Sequence, residues 1–520
     1  MDHIIESQEP VFRLLEDPAT HDGCEVRRID THISSVFLAG ERAYKVKRAV
    51  RFPFVDFSTV EKRKIACEAE LQVNTPFAPE IYRRILPITC EPDGRLAIDG
   101  SGTPIEWAIE MLRFDENRTL DHLAEARKID THLADALGHA VAAAHRAAPV
   151  VKAEPWIGAL ASFIDQNDRE LREAPDLFPP ENAAFLRAAS RRMFERIRPL
   201  LIARGELGLV RRGHGDLHLG NIVMLGERPV LFDAIEFDPL IAAGDVLYDL
   251  AFLLMDLVER GLQQAANVVF NRYLGETRRL EDIDALAALP LFLSLRAAIR
   301  AKVTAARLEL AQQSARATIR QSARAYFDLA CLLLKPPPPI LIAVGGLSGT
   351  GKSLLARSLA PYVAPVPGAV VLRSDVERKA LIGCAETEQL PPAAYSTEVS
   401  ARVYATLEQK ARQVIAAGHS AIVDAVFAQP GERRSIADIA QSHAVRFQGL
   451  FLKADLATRL ARVGIRGPDA SDADAGVVHQ QENYALDTID WTFVDASGLS
   501  SEALKRAKSV VFQRLCHVDE

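Results

Sequence analysis

The chain has 520 residues, 48% of them hydrophobic and 25% charged, which is ordinary globular usage and excludes a disordered or fibrous protein. At about 150 residues per domain, this length predicts three or four compact units. The net charge of −7, from 62 basic and 69 acidic side chains, gives no support for a protein that wraps nucleic acid.

Strands are predicted first, in the N-terminal part of the chain, at 26–37, 43–46 and 105–112. The turn at Gly40 between the first two of these strands predicts a hairpin. A helix is predicted over 58–74, with Ser58 as its N-cap and Glu61 completing a capping box. We therefore expect a strand-rich lobe with one helix over residues 1–112.

Helical periodicity then dominates up to residue 335, with short strands predicted at 209–211, 222–225 and 230–232. Four consecutive prolines, 336–339, cannot continue a helix and favour a stiff spacer. After them strands alternate with helices, which predicts a parallel sheet covered on both faces. The five predicted strands are 340–344, 369–372, 421–423, 447–452 and 492–494.

These patterns predict two domains. The first is an α+β domain over 1–335, with an N-lobe at about 1–112 and a C-lobe at about 113–335. The prolines 336–339 form the linker, and an α/β domain with a five-stranded parallel sheet follows over 340–520.

Cysteines and apolar segments indicate the compartment. The six cysteines contain no Cys-x-x-Cys pair, which argues against structural zinc and fits reduced thiols in the cytoplasm. The first residues lack the basic and apolar regions of a signal peptide. The most apolar stretches, 247–258 and 286–299, contain charges and fall short of the ~20 apolar residues that span a bilayer. We therefore expect a cytoplasmic protein without a membrane segment.

The strongest motif before the prolines is Arg212-Gly-His-Gly-Asp-Leu-His-Leu-Gly-Asn221, which matches the kinase catalytic-loop pattern H-R-D-L-x-x-x-N with glycine in place of arginine. Asp216 can accept the proton of an attacking hydroxyl. Asn221, and Asp233 at the end of an apolar strand twelve residues later, can hold Mg²⁺ against nucleotide phosphates. The alternative is a polar loop in which these residues occur by chance.

A lysine that reaches the phosphates is expected on an N-lobe strand. Lys45 in Arg-Ala-Tyr-Lys is the candidate, and Lys47, which strand alternation puts on the same face, is its rival. A solvated strand lysine is the bland alternative. The acidic partner is expected on the next helix, where Glu68 and Glu70 both qualify and Glu70 is favoured.

The strongest motif after the prolines matches G-x-x-x-x-G-K-[ST] and lies between a predicted strand and a predicted helix. Glycines let backbone N–H groups wrap phosphates at a helix N-terminus. Lys352 would reach the β- and γ-phosphates, and Ser353 would bind Mg²⁺. The predicted nucleotide-binding residues of this loop are Gly346, Ser348, Gly349, Thr350, Gly351, Lys352 and Ser353.

Two acids and two arginines complete this second candidate site. Asp375 follows the second predicted strand and can act as the base for an acceptor hydroxyl, with Arg378 beside it; a helix N-cap is the alternative role. Asp424 ends the third strand, as a Walker-B metal acid would, or is a structural acid. Arg462 and Arg466 suit a lid that closes on phosphoryl charge, and solvated helix arginines are the alternative.

The first motif set resembles the aminoglycoside phosphotransferase-like branch of the protein-kinase fold, including Asp245-Val-Leu-Tyr-Asp249-Leu-Ala after the metal acid. The resemblance implies that Asp245 and Asp249 brace the catalytic loop, with an N-cap role as the alternative for each. A glycine-rich G-x-G-x-x-G loop is absent and Asp233-Ala-Ile replaces D-F-G, which counts against a protein kinase. The fold hosts many acceptors and names none.

The second set resembles compact P-loop kinases such as gluconate kinases and zeta-toxin-type kinases. The pairing resembles bacterial fusions of an aminoglycoside phosphotransferase-like domain with a P-loop ATP-binding domain. The resemblance implies ATP and Mg²⁺ as cofactors and a small-molecule hydroxyl acceptor for each module. The alternatives are a regulatory protein in which one module senses ATP, and a nucleic-acid end kinase, which the acidic net charge disfavours.

Overall fold

The computed structural model describes residues 5–52, 55–309, 311–465, 469–484, 486 and 489–512. The chain divides into two compact units, each made of two segments. The first unit comprises Met1–Phe163 with Arg198–Asp256, and the second comprises Ile164–Ile197 with Leu257–Glu520. The stretch just before the prolines is thus grouped with the residues after them. Independent folding of 1–335 and 340–520 stays a prediction.

The first unit begins with an antiparallel sheet and two helices. The elements are α1 (Glu9–Glu16), β1 (Val26–Asp30), β2 (Ser34–Ala39), β3 (Arg42–Lys47), β4 (Arg51–Phe52), β5 (Val55–Asp56), α2 (Val60–Asn74), β6 (Tyr82–Cys90), β7 (Leu96–Ile98) and β8 (Thr103–Leu112). Six strands form the sheet in the order β1-β2-β3-β8-β6-β7, and β4 pairs with β5. Phe37 and Tyr44 pack with α1 on one face, while Ala43 and Ile109 pack with Cys67 of α2 on the other. The face of β3 that carries Ala43 therefore looks towards α2.

Two local predictions in this lobe were wrong in detail. The predicted strand 26–37 is two strands, because Thr31 turns the chain: its hydroxyl donates to the Ser34 carbonyl and accepts from the Ser34 N–H, both at 3.0 Å. The N-cap of α2 is Thr59, whose side chain accepts from the Lys62 N–H at 3.3 Å. Ser58 instead donates its hydroxyl to the carboxylate of Asp56 at 2.5 Å.

The rest of the first unit contains the candidate catalytic loop between short strands. The following elements continue the chain: α3 (Leu120–Glu125), α4 (Thr131–Ala147), α5 (Ala153–Arg172), α6 (Pro180–Glu206), β9 (Val210–Arg212), β10 (Ile222–Leu225), β11 (Arg228–Leu231), α7 (Pro239–Ala242), β12 (Ala243–Asp245) and α8 (Val246–Glu259). The end of α5, most of α6 and the last residues of α8 belong to the second unit. The strands form two antiparallel pairs, β10 with β11 and β9 with β12. Arg204 clamps the end of β12 through two bonds to the Asp245 carboxylate, at 2.6 and 2.8 Å.

The second unit contains four further helices that precede the prolines. They are α9 (Gln263–Thr277), α10 (Leu280–Asp284), α11 (Leu289–Ala306) and α12 (Gln313–Leu333). Helices α11 and α12 pack along each other, and the Ser294 hydroxyl of α11 donates to the Ala330 carbonyl of α12 at 2.8 Å.

The remainder of the second unit is an α/β layer structure. Its elements are β13 (Ile340–Gly346), α13 (Lys352–Leu359), β14 (Val370–Arg373), α14 (Ser374–Ile382), α15 (Thr397–Ala416), β15 (Ala421–Asp424), α16 (Pro430–Ser442), β16 (Arg446–Lys453), α17 (Leu456–Gly464), α18 (Ala475–Gln481), β17 (Thr492–Asp495) and α19 (Ser500–Phe512). The five strands are all parallel, in the order β14-β15-β13-β16-β17. The predicted five-stranded parallel sheet is confirmed.

One edge of this parallel sheet is covered by side chains of α9. Because β14 is the terminal strand, one side of its backbone has no partner strand. Asn267 and Asn271, one helical turn apart on α9, both donate to the Ala369 carbonyl at 3.1 Å. The Val371 N–H donates to the Asn271 Oδ1 at 2.7 Å. Two asparagines thus supply the hydrogen bonds that a neighbouring strand would otherwise make.

Candidate functional site

The candidate catalytic loop of the first unit is held by a carboxylate from α8. Asp249 accepts from the N–H groups of His214 at 2.8 Å and Gly215 at 3.0 Å, and His145 Nε2 lies 3.2 Å from it. Gly215 has a φ of +79°, and a Cβ there would lie 3.0 Å from the backbone of Ala242. Asp249 therefore braces the loop, and the loop geometry explains why glycine stands where protein kinases have arginine.

The loop brings Asp216 and Asn221 together. The Asn221 Nδ2 donates to the backbone carbonyl and to the Oδ2 of Asp216, both at 3.0 Å. The Nε2 of His218 lies 3.4 Å from the same carboxylate. Since the amide nitrogen of Asn221 is engaged, its Oδ1 is the atom of that side chain with metal-ligand chemistry.

Asp233 follows β11 in an unusual backbone conformation. Its φ is +60°, in the left-handed region that a non-glycine residue adopts only under constraint. The next residue supplies the constraint: the Ala234 N–H donates to Asn74 Oδ1 at 2.7 Å, and Asn74 Nδ2 donates to the Ala234 carbonyl at 3.1 Å. Helix α2 thereby fixes the direction in which the Asp233 carboxylate leaves the chain.

Lys45, Glu70 and Asp233 meet at one point although they lie far apart in sequence. The Lys45 Nζ is 2.7 Å from Glu70 Oε1 and 2.6 Å from Asp233 Oδ1. Burial lowers the pKa of Lys45, but the carboxylates of Asp233 and Glu70 outweigh it and raise that pKa well above its ordinary value. Glu68, the other acid considered, is exposed and pairs with Lys64 at 3.6 Å.

Two neighbouring residues extend this ion network. Lys47 is 1% exposed and lies 2.5 Å from Glu70 Oε2, and it also pairs with Glu236. Burial raises the pKa of Glu236, as does the nearby Glu70 carboxylate, while Lys47 opposes both. Sequence reasoning named Lys47 only as the rival of Lys45 and missed Glu236. The one sequence signal for Glu236 was that it is an acidic residue three positions after Asp233.

In the second unit, the predicted phosphate loop connects β13 to α13. Gly349 and Gly351 have φ values of +83° and +91°, and a Cβ on Gly349 would lie 2.6 Å from the Arg459 carbonyl. Lys352 donates its Nζ to the Leu347 carbonyl at 3.2 Å. The Thr350 hydroxyl donates to that same carbonyl at 2.8 Å, so its side chain closes the loop from within. The glycine conformations suit a backbone cradle for phosphate.

Residues of α17 and α18 hold the outer side of the loop. The Ser348 N–H donates to Gln481 Oε1 at 2.6 Å, and Arg459 Nε donates to the Ser348 carbonyl at 2.8 Å. Arg462 donates to the Thr350 carbonyl at 3.4 Å and to the Gly498 carbonyl at 2.8 Å. Sequence reasoning missed Gln481 and Arg459. Arg466 lies outside the described residues.

The acidic residues of the second site gather where β14 and β15 end. Arg373 Nε lies 3.6 Å from the Oδ2 of Asp424, and Asp375 stands in the first turn of α14. Burial and the Asp424 carboxylate raise the pKa of Asp375, against the opposing effects of Lys352, Arg373 and a hydrogen bond with Ser471. Asp424 and Lys352 thus act in opposite directions on the pKa of Asp375.

The segment 469–474 contacts β14 and α14 through two carboxylates. Asp469 pairs with Arg373 at 3.1 Å. Asp472 lies 3.0 Å from the Nζ of Lys379 and accepts from the Tyr395 hydroxyl at 2.7 Å. Arg378, the predicted acceptor-binding arginine, is buried and donates to the Ala394 carbonyl at 2.8 Å. In this conformation Arg378 supports the segment before α15.

Both sites suit Mg²⁺ bound together with nucleotide phosphates. In the described parts of the chain, no three His, Cys, Asp or Glu side chains cluster as an all-protein metal site. Mg²⁺ usually takes only one or two carboxylates and completes its shell with phosphate oxygens and water. Asp233 with Asn221, and Asp424 with Ser353, offer oxygen ligands of this kind.

Over the same described stretches, no helix is long and apolar enough to cross a membrane.

Comparison with known families finds two domains. Residues 92–289 match the model of the phosphotransferase enzyme family. Residues 341–485 match a family described as an AAA domain. An uncharacterized protein of Mycobacterium tuberculosis (strain ATCC 25618 / H37Rv) is 29% identical over 484 residues, covering 89% of this chain and 92% of the relative. A relative with the same identity and coverage occurs in Mycobacterium bovis.

Solved structures with low sequence identity also match parts of the chain. A choline/ethanolamine kinase family protein from Mesorhizobium loti is 13% identical and covers 60% of this chain and 92% of its own, with a TM-score of 0.34. A gluconokinase from Sinorhizobium meliloti 1021 is 15% identical and covers 34% of this chain and 98% of its own, with a TM-score of 0.26.

Proposed function

We propose that the chain is a kinase-type phosphotransferase with two modules, one matching the phosphotransferase enzyme family and one matching a family described as an AAA domain, and that each module transfers the γ-phosphoryl group of ATP to a hydroxyl of a small molecule. ATP with Mg²⁺ is the proposed cofactor of both modules. The proposed location is the cytoplasm, where the free cysteines stay reduced.

In the first module, Asp216 accepts the proton of the acceptor hydroxyl as its oxygen attacks the γ-phosphorus. The new O–P bond forms while the bond to the β,γ-bridging oxygen breaks, and ADP leaves. Lys45, held by Glu70, binds the phosphates, and Asn221 with Asp233 holds Mg²⁺, which supplies charge neutralisation for the transferred group.

In the second module, Asp375 has the corresponding role of base. Its raised pKa brings it closer to the pH of the cell, which favours reversible proton transfer. Lys352 contacts the phosphates from the loop after β13, and Ser353 with Asp424 holds Mg²⁺. Arg462 reaches the same loop through the Thr350 carbonyl. Positioning and charge stabilisation are the main catalytic contributions in both modules.

The observation that carries the proposal is the contact of Lys45 with Glu70 and Asp233. These residues are 25 and 188 positions from Lys45, yet their carboxylates lie 2.7 and 2.6 Å from its amine. A phosphate-binding lysine, its acidic partner and a metal acid need this proximity for phosphoryl transfer.

The test is a screen of metabolite extracts with ATP labelled at the γ-phosphate. We compare the parent protein with Asp216→Asn, Lys352→Ala and the double variant, and use Asp93→Asn, in an exposed turn, as the control. Acceptors labelled by the parent and lost only in Asp216→Asn belong to the first module, and those lost only in Lys352→Ala belong to the second. Equal labelling by the parent and the double variant would contradict the proposal.

A further inference from the structure

A second lysine, Lys47, is buried and shares the carboxylate of Glu70 with the predicted phosphate-binding lysine, Lys45. Lys47 is two residues after Lys45 on β3, so both side chains leave the strand on the face that looks towards α2. Its side chain is 1% exposed and its amine lies 5.4 Å from the Phe57 ring centre. A buried ammonium persists only with close acidic partners, and Lys47 has two, Glu70 and Glu236.

The network holds two lysines and three carboxylates, so one negative charge is left over. The side chains of Glu70 and Glu236 are 0% and 6% exposed, whereas that of Asp233 is 44% exposed. Lys45 and Lys47 together balance the two buried carboxylates of Glu70 and Glu236. The surplus charge therefore resides on the open carboxylate, where a cation can reach it.

The chain from Asp233 to Glu236 is anchored at each of its residues: the Asp233 N–H donates to the Tyr82 hydroxyl at 3.2 Å and the Ile235 N–H to the His214 carbonyl at 3.0 Å. Asn74 of α2 holds Ala234 through the reciprocal pair of hydrogen bonds, and Lys47 of β3 holds Glu236. Protein kinases place a phenylalanine directly after the metal aspartate, whereas Ala234 is too small to anchor this segment by packing. The ion pair of Glu236 lies two residues further along, beside Phe237, which packs against Val50 and Phe57.

We propose that Lys47 and Glu236 are positioning residues for the first module: their ion pair fixes the segment that carries Asp233 and so sets the affinity of the site for the metal–nucleotide complex. This inference rests on the proposed function of that module. Asp233, which pairs with Lys45 in this structure, would hold the cation of the metal–nucleotide complex, while Lys47 would keep Glu70 and Glu236 in place. Lys47 and Glu236 act on Asp233 through the chain between them and through Glu70, and residues that position a metal ligand from outside its coordination shell typically contribute about 10–100-fold to metal affinity.

The experiment measures nucleotide binding by calorimetry in a Lys352→Ala background, so that the second module contributes little. Each variant is titrated with ATP plus Mn²⁺ and with ATP plus a chelator. The central variant is the double change Lys47→Met with Glu236→Gln, which removes one charge of each sign and avoids an uncompensated buried ion. Lys47→Arg retains the charge, and Lys62→Met, exposed on the same lobe, is the control.

We expect the double variant to bind Mn²⁺·ATP at least ~10-fold more weakly than the background, with a much smaller change in metal-free ATP binding. Lys47→Arg should recover part of this loss, and Lys62→Met should match the background. Circular dichroism melts should show the double variant folded.

Four results would overturn the inference. Equal loss of binding with and without metal, or a double variant that does not fold, would mean that the pair only maintains the fold. Unchanged Mn²⁺·ATP affinity in a folded double variant would mean that the pair does not position Asp233, and would leave the proposed function intact. If the background protein itself binds no nucleotide, the proposed function of the first module fails and the inference falls with it.

Discussion

Asp375 and Lys352 belong to the same proposed site, and we propose that Lys352 contacts the nucleotide and Asp375 the acceptor. Lys352 arises from the phosphate loop, whereas Asp375 lies in the first turn of α14. We expect Asp375→Ala to keep ATP affinity near the parent value and to lose transfer by ~10²-fold or more, the usual contribution of a positioned base. Lys352→Ala should weaken both ATP affinity and phosphoryl transfer. Calorimetry and transfer assays measure the two effects, and comparable loss of ATP binding in both variants would make Asp375 a metal ligand or a structural acid.

The pH dependence of the second module should reveal the environment of Asp375. Only the ionised carboxylate can accept a proton, so transfer falls as the pH drops through the raised pKa. The hydrogen bond from Ser471 lowers that pKa, and its loss in Ser471→Ala should therefore move the acid limb of the pH–rate profile to higher pH. If the acid limb does not shift in Ser471→Ala, a group other than Asp375 controls the pH–rate profile.

Asp216 and Asp233 should both be indispensable to the first module. We expect Asp216→Asn and Asp233→Asn each to reduce its transfer by at least ~10²-fold without unfolding it, because one removes the base and the other a metal ligand. Steady-state transfer with the first module's acceptor, together with circular dichroism, measures this. Unchanged turnover in Asp233→Asn would refute the metal assignment.

Residues within one motif, or at a fixed offset from it, could be predicted from the sequence. Lys45 was predicted from the place of Arg-Ala-Tyr-Lys on its strand, with Lys47 left as a rival by strand alternation. Glu70 was favoured over Glu68 because Leu71 and Asn74 after it resemble the family pattern. Glu236, Arg459 and Gln481 could not, because each acts through a contact with a residue that is remote along the chain. Nothing in local periodicity encodes such pairs.

At the scale of elements, the errors arose where polar side chains compete with secondary structure. Thr31 ends β1 by bonding to Ser34, and Asp56 draws Ser58 away from the helix that Thr59 caps. Ser and Thr at such positions offer the backbone alternatives that a hydrophobic pattern does not show. The buried parallel strands were predicted well because their apolar runs are continuous.

The contact between α9 and β14 should be measurable. Asn271→Ala leaves the Val371 N–H without its Oδ1 acceptor and removes one donor from the Ala369 carbonyl. An unsatisfied buried polar group costs about 1–3 kcal/mol, so we expect a loss of unfolding free energy of this order in chemical denaturation. Asn483→Ala, at an exposed position of the same unit, is the control, and equal stability of the two variants would contradict the role assigned to Asn271.

His419 should make the second unit sensitive to acid. It is buried beside the Gly368 carbonyl, 2.9 Å from its Nε2, and burial lowers the pKa of His419 from 6.5 to about 4. Below pH 6.5 the unfolded chain takes up a proton that the folded chain excludes. Stability present at pH 7 is thus lost as the pH falls towards 4, by about 2 kcal/mol at pH 5.

Denaturation at pH 7 and pH 5 tests this sensitivity to acid. His419→Gln retains a donor for the Gly368 carbonyl but does not titrate, so its stability should depend less on pH than that of the parent. His132→Gln, exposed on α4, should leave the parent's dependence unchanged. Identical pH dependence in all three proteins would exclude His419 as the source.

At the scale of the whole chain, the prolines 336–339 and the division into two compact units place the domain boundary at different residues. The sequence predicts separable folding of 1–335 and 340–520, whereas α9 bonds to β14 within the second unit. We expect a fragment 257–520 to melt at a higher temperature than 340–520, because only the longer one contains Asn267 and Asn271. Equal melting temperatures would favour the proline boundary. The prolines could be recognised because they are contiguous, whereas the edge contact joins residues about a hundred positions apart.

The helix that covers the edge of β14 is synthesised before β14 itself. Asn267 precedes Ala369 by 102 residues, so a ribosome that adds about 5–20 residues per second makes α9 about 5–20 s before the strand it covers. When β14 emerges, the side chains that will occupy its open edge are therefore already part of the nascent chain. A circular permutant that begins at residue 340 would reverse this order. Its edge strand β14 would be made before α9, and until α9 was synthesised the open edge could pair with strands of other nascent chains.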